Sequence, residues 1–264
     1  MLIDSHCHLD RLDLKPYGGD FSRYVGESQA QGIDHMLCVS ITLEKWPGMM
    51  GLLEGHAAIS ASVGVHPNEQ DCHEPTVEDL VERAAHPQVV AIGETGLDYF
   101  RSEGDLTWQH ERFRTHVRAA KATGKPLIIH TREAREDTLR ILREEGAADV
   151  GGVLHCFTED WETARQALDL NFYISFSGIV TFRNAEQIQD AARKVPQDRY
   201  LVETDSPYLA PIPFRGKPNY PHYVRQVAQF VAGLRGISLE TVAEQTSRNY
   251  WELFGKQRRV DTGM

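Results

Sequence analysis

Cysteine is scarce in this 264-residue chain, and it is never spaced for a metal knuckle. Cys7, Cys38, Cys72 and Cys156 form no C-x-x-C pair, which excludes a thiolate zinc knuckle and gives no basis for a disulfide framework; reduced thiols in a cytoplasmic protein are expected. Long apolar runs are also missing. No stretch approaches the roughly 18 residues that a membrane span requires, and Asp4 stands where a secretory signal would be basic, so no membrane association is expected. Basic charge is the third shortage: 28 Lys and Arg stand against 38 Asp and Glu, a net charge of −10. That argues against a basic groove tracking a nucleic-acid backbone. It leaves a nucleic-acid substrate open, because bound divalent ions would reverse the field where a phosphate must sit. Low-complexity tracts are absent as well, and 41% apolar with 25% charged residues is the balance of an ordinary folded enzyme.

What is present is an alternation of two periodicities. Eight short apolar runs read as strands: "MLID", "HMLCVS", "ISASVGV", "VVAIGE", "PLIIH", "GGVLH", "FYISF" and "RYLVE". Between most of them lie stretches with apolar residues at three- and four-residue spacing, such as "LTWQHERFRTHVRAAKATG" and "REAREDTLRILREEG", with Gly124 and Gly146 where helix C-caps belong. Eight βα units in this length fit a (β/α)8 TIM-type barrel of the α/β class. The expected organisation is a single domain over 1–264, with 256–264 as a polar C-terminal tail. An open doubly wound sheet remains the alternative.

In a barrel the working residues sit at the C-terminal ends of strands. Here those ends carry metal-ligand types: His6 and His8 after the first run, His66 after the third, Glu94 after the fourth, His130 after the fifth, His155 after the sixth and Asp205 after the eighth. Side chains alternate along a strand, so His6 and His8 share a face with about 6.6 Å between their Cα atoms, while Cys7 points the other way. Singly, each residue has a plainer explanation. His130 and His155 are each explained by a core imidazole bonded to a carbonyl, Asp205 by a turn or helix cap, and Glu94 by a backbone cap. Leaving His66 aside, five strand ends choosing ligand types on one rim are not explained by turns. The other histidines, His35, His56, His73, His86, His110, His116 and His222, read as structural or solvated.

Imidazole and carboxylate ligands suit zinc, manganese, iron, nickel or magnesium. His6, His8, Glu94, His130, His155 and Asp205 make six, too many for one tetrahedral catalytic zinc, which keeps a position open. Two divalent ions roughly 3.5–4 Å apart and sharing Glu94 would use all six, and a water between them would have its pKa lowered from ~15.7 toward ~7. The chemistry this prepares is hydrolysis.

Taken in order, "DSHCHLD", "VGVHP", "AIGETGLDY", "KPLIIHTREA", "GVLHCF", "ISFSGIVTF", "LVETDSPYLAP", "FRGKPNYP" and the "NY" at Asn249-Tyr250 resemble the TatD-type metal-dependent hydrolases and deoxyribonucleases of the amidohydrolase-like barrels, with a look of the YcfH-like branch. The resemblance implies one ion held by His6, His8, Glu94 and Asp205 and a second by Glu94, His130 and His155. It also implies 3′-to-5′ exodeoxyribonuclease activity on DNA, as in several members. With it, Asp205 becomes the general base that orients the attacking water, and His66 a donor to a phosphate oxygen or, equally, a turn histidine before Pro67. Arg215 and Lys217 of "FRGKPNYP" become phosphate grips rather than a solvated turn. Glu203, two residues before Asp205, is expected to accept from a ligand imidazole.

Two other functions compete. Small amides or esters, including aminoacyl esters, are the substrates of related barrels in which a carboxylated lysine often ends the fourth strand. Glu94 stands there in this chain, and Lys125 lies at the wrong end of the fifth strand. A metal-binding barrel without turnover is the other, against which stands the presence of every ligand and of a base. A monomer with no obligate protein partner is expected.

Overall fold

The computed structural model describes residues 1–255; the expected tail at 256–264 lies outside the described residues. Eight parallel strands pair in chain order: β1 (Leu2–Cys7), β2 (Ile33–Cys38), β3 (Ile59–Val63), β4 (Val89–Asp98), β5 (Leu127–Arg132), β6 (Gly152–Leu154), β7 (Phe172–Phe176) and β8 (Tyr200–Val202). A parallel bridge between Cys7 and Ser206 returns the end of the sheet to β1, so the sheet is a nearly closed TIM-type barrel and not the open doubly wound alternative. The seam is reinforced by side chains. Thr204 donates to the Asp4 carboxylate through both its N–H and its hydroxyl, and Ser5 Oγ donates to Val202 O at 3.0 Å.

The outer layer consists of α1 (Phe21–Ala30), α2 (Trp46–Leu53), α3 (Val77–Ala84), α4 (Thr107–Thr123), α5 (Arg135–Glu144), α6 (Trp161–Asp169), α7 (Glu186–Lys194), α8 (Val224–Arg235) and α9 (Leu239–Phe254). Four of their starts are capped by side chains: Asp20, Thr76, Asp160 and Ser238 each accept from the backbone N–H three residues on. Gly124, at φ 67°, ends α4 in the left-handed conformation that a side chain would resist. Strands buried on both faces explain why the eight apolar runs contain so few polar residues.

Two apolar layers result. One packs helices on the sheet. The other fills the barrel, with Ile3, Leu37, Val90, Ile128, Val153, Tyr173 and Leu201 meeting Tyr250, Leu253 and Phe254 of α9. The last helix thus closes the N-terminal mouth, its Asn249 amide donating to Gln197 O and Tyr200 O. The C-terminal mouth stays open.

Most strand ends shift by one to three residues from the expected runs, and the largest shift is at the site. Glu94 is interior to β4, which runs four residues further because Thr95, Gly96, Leu97 and Asp98 pair with Ile129 through Arg132 of β5. Gly96 permits this: a Cβ there would stand 2.0 Å from His130 O. No helix among the described residues is long and apolar enough to cross a membrane.

Candidate metal centre

The open mouth leads into a cavity of about 1110 Å³, lined among others by His8, His66, Glu94, Asp98, His130, His155 and Asp205. Glu94 is buried at its centre, and its two oxygens face different neighbours. Oε2 lies 3.4 Å from His6 Nε2 and 3.8 Å from His8 Nε2; Asp205 Oδ1 completes this half at 3.7 and 3.3 Å from the same two nitrogens. Oε1 faces His155 Nε2 at 2.7 Å, His130 Nδ1 at 3.1 Å and His66 Nε2 at 3.3 Å. Burial alone would raise the Glu94 carboxyl, but His155, His66 and His130 outweigh it and hold the group well below the usual carboxylate range. Asp205 is lowered for a similar reason, burial being overcome by His8 and His6.

The far nitrogen of each imidazole fixes which lone pair looks inward. His8 Nδ1 donates to Val39 O at 3.0 Å, so Nε2 is the nitrogen turned toward Glu94 and Asp205. His155 Nδ1 donates to Glu203 Oε1 at 3.2 Å and Nε2 to Glu94 Oε1 at 2.7 Å; burial would lower its pKa, but Glu94 and Glu203 raise it well above the ordinary 6.5, so a bound cation would take the place of the Nε2 proton. His130 is reversed: Nε2 donates to Asp98 Oδ2 at 3.0 Å and Nδ1 faces Glu94. His66 differs in kind. Its Nδ1 accepts from Asn68 N–H at 3.0 Å, which leaves the proton on the Nε2 that points into the site.

His6 is the exception that tests a metal. It is fully buried, stacked on His155 with ring centroids 3.9 Å apart, and neither ring nitrogen makes a hydrogen bond. An unpaired buried imidazole costs free energy that a bound cation would recover. The spacing agrees. Four donors at about 2.0–2.1 Å from a tetrahedral ion lie about 3.3–3.4 Å apart, close to the 3.3–3.8 Å that separates the His6 and His8 nitrogens from the Glu94 and Asp205 oxygens. Donor atoms of three trios lie within 4.8 Å of one another: His6, His8, Asp205; His66, Glu94, His130; and His6, His155, Glu203. The residues present therefore fit divalent cations.

Glu203 stands where expected, taking His155 Nδ1–H and the Cys156 N–H. Cys7 points away from the site and donates to Leu37 O. Arg215 and Lys217 do not line the cavity. Phe214 stacks flat on Tyr223 at 4.0 Å and Ile212 N–H donates to Thr181 Oγ1, which draws their loop aside; Arg215 lies over the Phe182 ring and Lys217 is exposed. The arginines that do line it are Arg11, Arg101, Arg132 and Arg135. Lys125 is at the opposite end of the barrel, its ammonium donating to Ala84 O and Val89 O. Sequence reasoning passed over Asp98, although it lies four residues beyond Glu94 and so on the same face of one strand.

A family model described as "TatD related DNase" matches residues 3–255. YcfH of Escherichia coli (strain K12), an uncharacterised metal-dependent hydrolase, is 52% identical over 254 residues, covering 96% of this chain and 95% of its own. A 3′-5′ ssDNA/RNA exonuclease, TatD of Klebsiella pneumoniae (strain 342), is 30% identical over 250 residues, 92% of this chain and 95% of that one. The solved structure of YJJV, a TatD homologue from Escherichia coli K12, superposes with a TM-score of 0.87 at 26% identity, covering 96% and 98% of the two chains. With this match along nearly the whole length and a cation-binding constellation at the open mouth, the chain belongs to the TatD family of metal-dependent hydrolases.

Proposed function

We propose that this hydrolase is a phosphodiesterase that removes nucleotides from DNA 3′ ends with two divalent ions shared through Glu94. The observation that carries the reading is the division of Glu94, with Oε2 toward His6 and His8 and Oε1 toward His130 and His155. His6, His8, Glu94 and Asp205 would hold one ion, and Glu94, His130 and His155 the other. When bound, such ions supply a water of lowered pKa and neutralise charge on the phosphate.

The chain's own groups do the rest. Asp205 projects into the cavity beside His8 and accepts the proton of the attacking water. His66, protonated on Nε2 by its Asn68 contact, donates to a non-bridging phosphate oxygen as the charge there grows. Arg11, Arg101 and Arg132 supply the cationic rim, in place of Arg215 and Lys217. The exonuclease among the relatives supports a nucleic-acid substrate.

A small amide or ester is the second reading, favoured by the acidic side chains Glu69, Glu133, Glu136 and Glu159 that also line the cavity and repel a long polyanion. The test is purified protein with magnesium, manganese or zinc, given end-labelled single-stranded DNA and a panel of small esters and amides. Shortening of the DNA from its 3′ end, reduced about 10²–10⁴-fold by Asp205→Asn, is expected. Turnover of a small amide with intact DNA under every metal overturns the nuclease reading.

A further inference from the structure

We propose that Phe100 and Tyr208 are stacking platforms for the terminal bases of a single-stranded nucleic-acid end, each braced by an arginine. The inference rests on the nuclease reading above and gives that site its substrate geometry. Among the described residues, the large apolar side chains that stand exposed are Met1, Phe100 at 56%, Tyr208 at 46% and Ile212. A scattered exposed aromatic needs no explanation. These two are distinguished by position and by partner.

Phe100 follows β4 between the cavity-lining Tyr99 and Arg101, and the Arg132 guanidinium at the end of β5 lies 3.8 Å over its ring. Tyr208 follows β8 and lines the cavity; its hydroxyl accepts from Arg11 Nη1 at 3.1 Å, and its ring sits 6.0 Å from that of His8. In a barrel ordered β1 to β8 and bridged at Cys7 and Ser206, the β4/β5 edge is opposite the β8/β1 edge. The two aromatic–arginine pairs therefore stand on opposite sides of the mouth, Tyr208, Arg11 and Arg132 lining the cavity that holds Glu94 and Phe100 standing exposed at its edge between Tyr99 and Arg101.

A nucleotide fits this pairing better than an apolar group would. Every base offers a π-face to an aromatic ring, whatever the sequence, and a neighbouring guanidinium adds cation–π contact and a fork for the attached phosphate. Arg132 covers one face of Phe100 and leaves the other for a base. The same cavity is also lined by Glu69, Glu133, Glu136 and Glu159, which repel a polyanion. Cationic contact is thus confined to the last nucleotides, and the strand beyond them runs into solvent.

The experiment compares a single-stranded 3′-labelled oligonucleotide carrying natural bases with the same oligonucleotide bearing abasic tetrahydrofuran residues at its last two 3′ positions. For the unaltered protein KM is expected to be about tenfold higher on the abasic strand. Phe100→Ala and Tyr208→Ala should each collapse that ratio toward one, with Phe100→Trp restoring it and Phe100→Leu failing to. A 2-aminopurine base at the 3′ end, in a strand with phosphorothioate linkages, should lose fluorescence on binding the unaltered protein and keep it with Phe100→Ala and Tyr208→Ala. Equal KM on the two strands, or variants that leave the ratio intact, overturns the platforms while the nuclease reading stands. Failure to cleave either strand overturns both.

Discussion

At the residue scale the centre is organised by what each imidazole does with its outward nitrogen. His8 gives its outward proton to a carbonyl, His155 to Glu203 and His130 to Asp98, so in each ring the other nitrogen is turned inward toward Glu94 or Asp205, where a cation would replace its proton. Asp98 is the most exacting of these partners. Buried and shared among His130 Nε2, the Asn68 amide and the Arg101 N–H, it sits well below the usual carboxylate range, because His130 and Asn68 outweigh the burial that would raise it. Asp98→Asn keeps the shape but offers an N–H to His130 in one amide orientation. On the proposed two-ion centre, the affinity for the ion beside His130 is expected to fall about 10–100-fold by calorimetric titration of metal-free protein. Unchanged affinity would show that His130 is oriented by packing alone. The first-tier residues were legible because each follows an apolar run at its C-terminal end, whereas Asp98 was hidden by reading β4 as finished at Glu94. Arg215 and Lys217 follow Asp205 closely in sequence yet do not line the cavity, since proximity in sequence carries no information about the Phe214–Tyr223 stack beside them.

At the element scale α4 does more than cover the sheet. Buried Arg112 reaches from it to the loop after β3, donating to His66 O, Glu69 O and both carboxylate oxygens of Glu74, with its guanidinium over Trp108. Arg112→Ala removes the guanidinium from the loop, leaving His66 O only the Glu69 N–H, Glu69 O only the Cys72 thiol, and Glu74 no cation. A loss of roughly 3 kcal/mol in urea unfolding is expected, with faster amide exchange over 66–74. Arg112→Lys recovers only part of this, since an ammonium lacks the planar fork. One turn further along α4, His116 Nδ1 donates to Arg112 O and Nε2 accepts from Val65 N–H, an arrangement that only the neutral ring satisfies. Burial pushes its pKa from the ordinary 6.5 down to about 4. The unfolded chain therefore takes up a proton that the folded one refuses, and stability from this group, full above pH 6.5, drains away as the pH falls toward 4. The total is about 3 kcal/mol at 1.36 kcal/mol per unit. His116→Gln should flatten the acid limb of stability in that window, measured on metal-free protein; an unchanged limb would assign it to other groups. The strands themselves were legible because parallel strands buried on both faces are continuous apolar runs. The extension of β4 was not, since it depends on Gly96 lying against His130 O, a contact between chain segments more than 30 residues apart.

At the scale of the whole molecule the barrel has two unlike ends, one stopped by the aromatic residues of α9 and one left open over the histidines and carboxylates. The barrel class could be read from eight alternating units. Its closure could not, because the Asp4–Thr204 and Cys7–Ser206 links join residues 200 apart, for which no local pattern exists. The net charge of −10 sets how such a molecule can meet a nucleic acid. A protein that tracks a backbone spreads lysine and arginine along it, and each neutralised phosphate of a single strand steepens the salt dependence of log K by about 0.7. Here the rim arginines are few and are interleaved with Glu69, Glu133, Glu136 and Glu159, while the remaining surface is acidic on balance. Two or three phosphates are then all that the chain can engage. The expected slope of log K against log salt is about −2 for an oligonucleotide of any length beyond a trimer, measured by fluorescence anisotropy between 50 and 200 mM salt (on the order of these limits). A slope steeper than about −5, or affinity that climbs with each added nucleotide, would mean that the acidic surface is bypassed by a cationic track, and would refute binding confined to the strand's end.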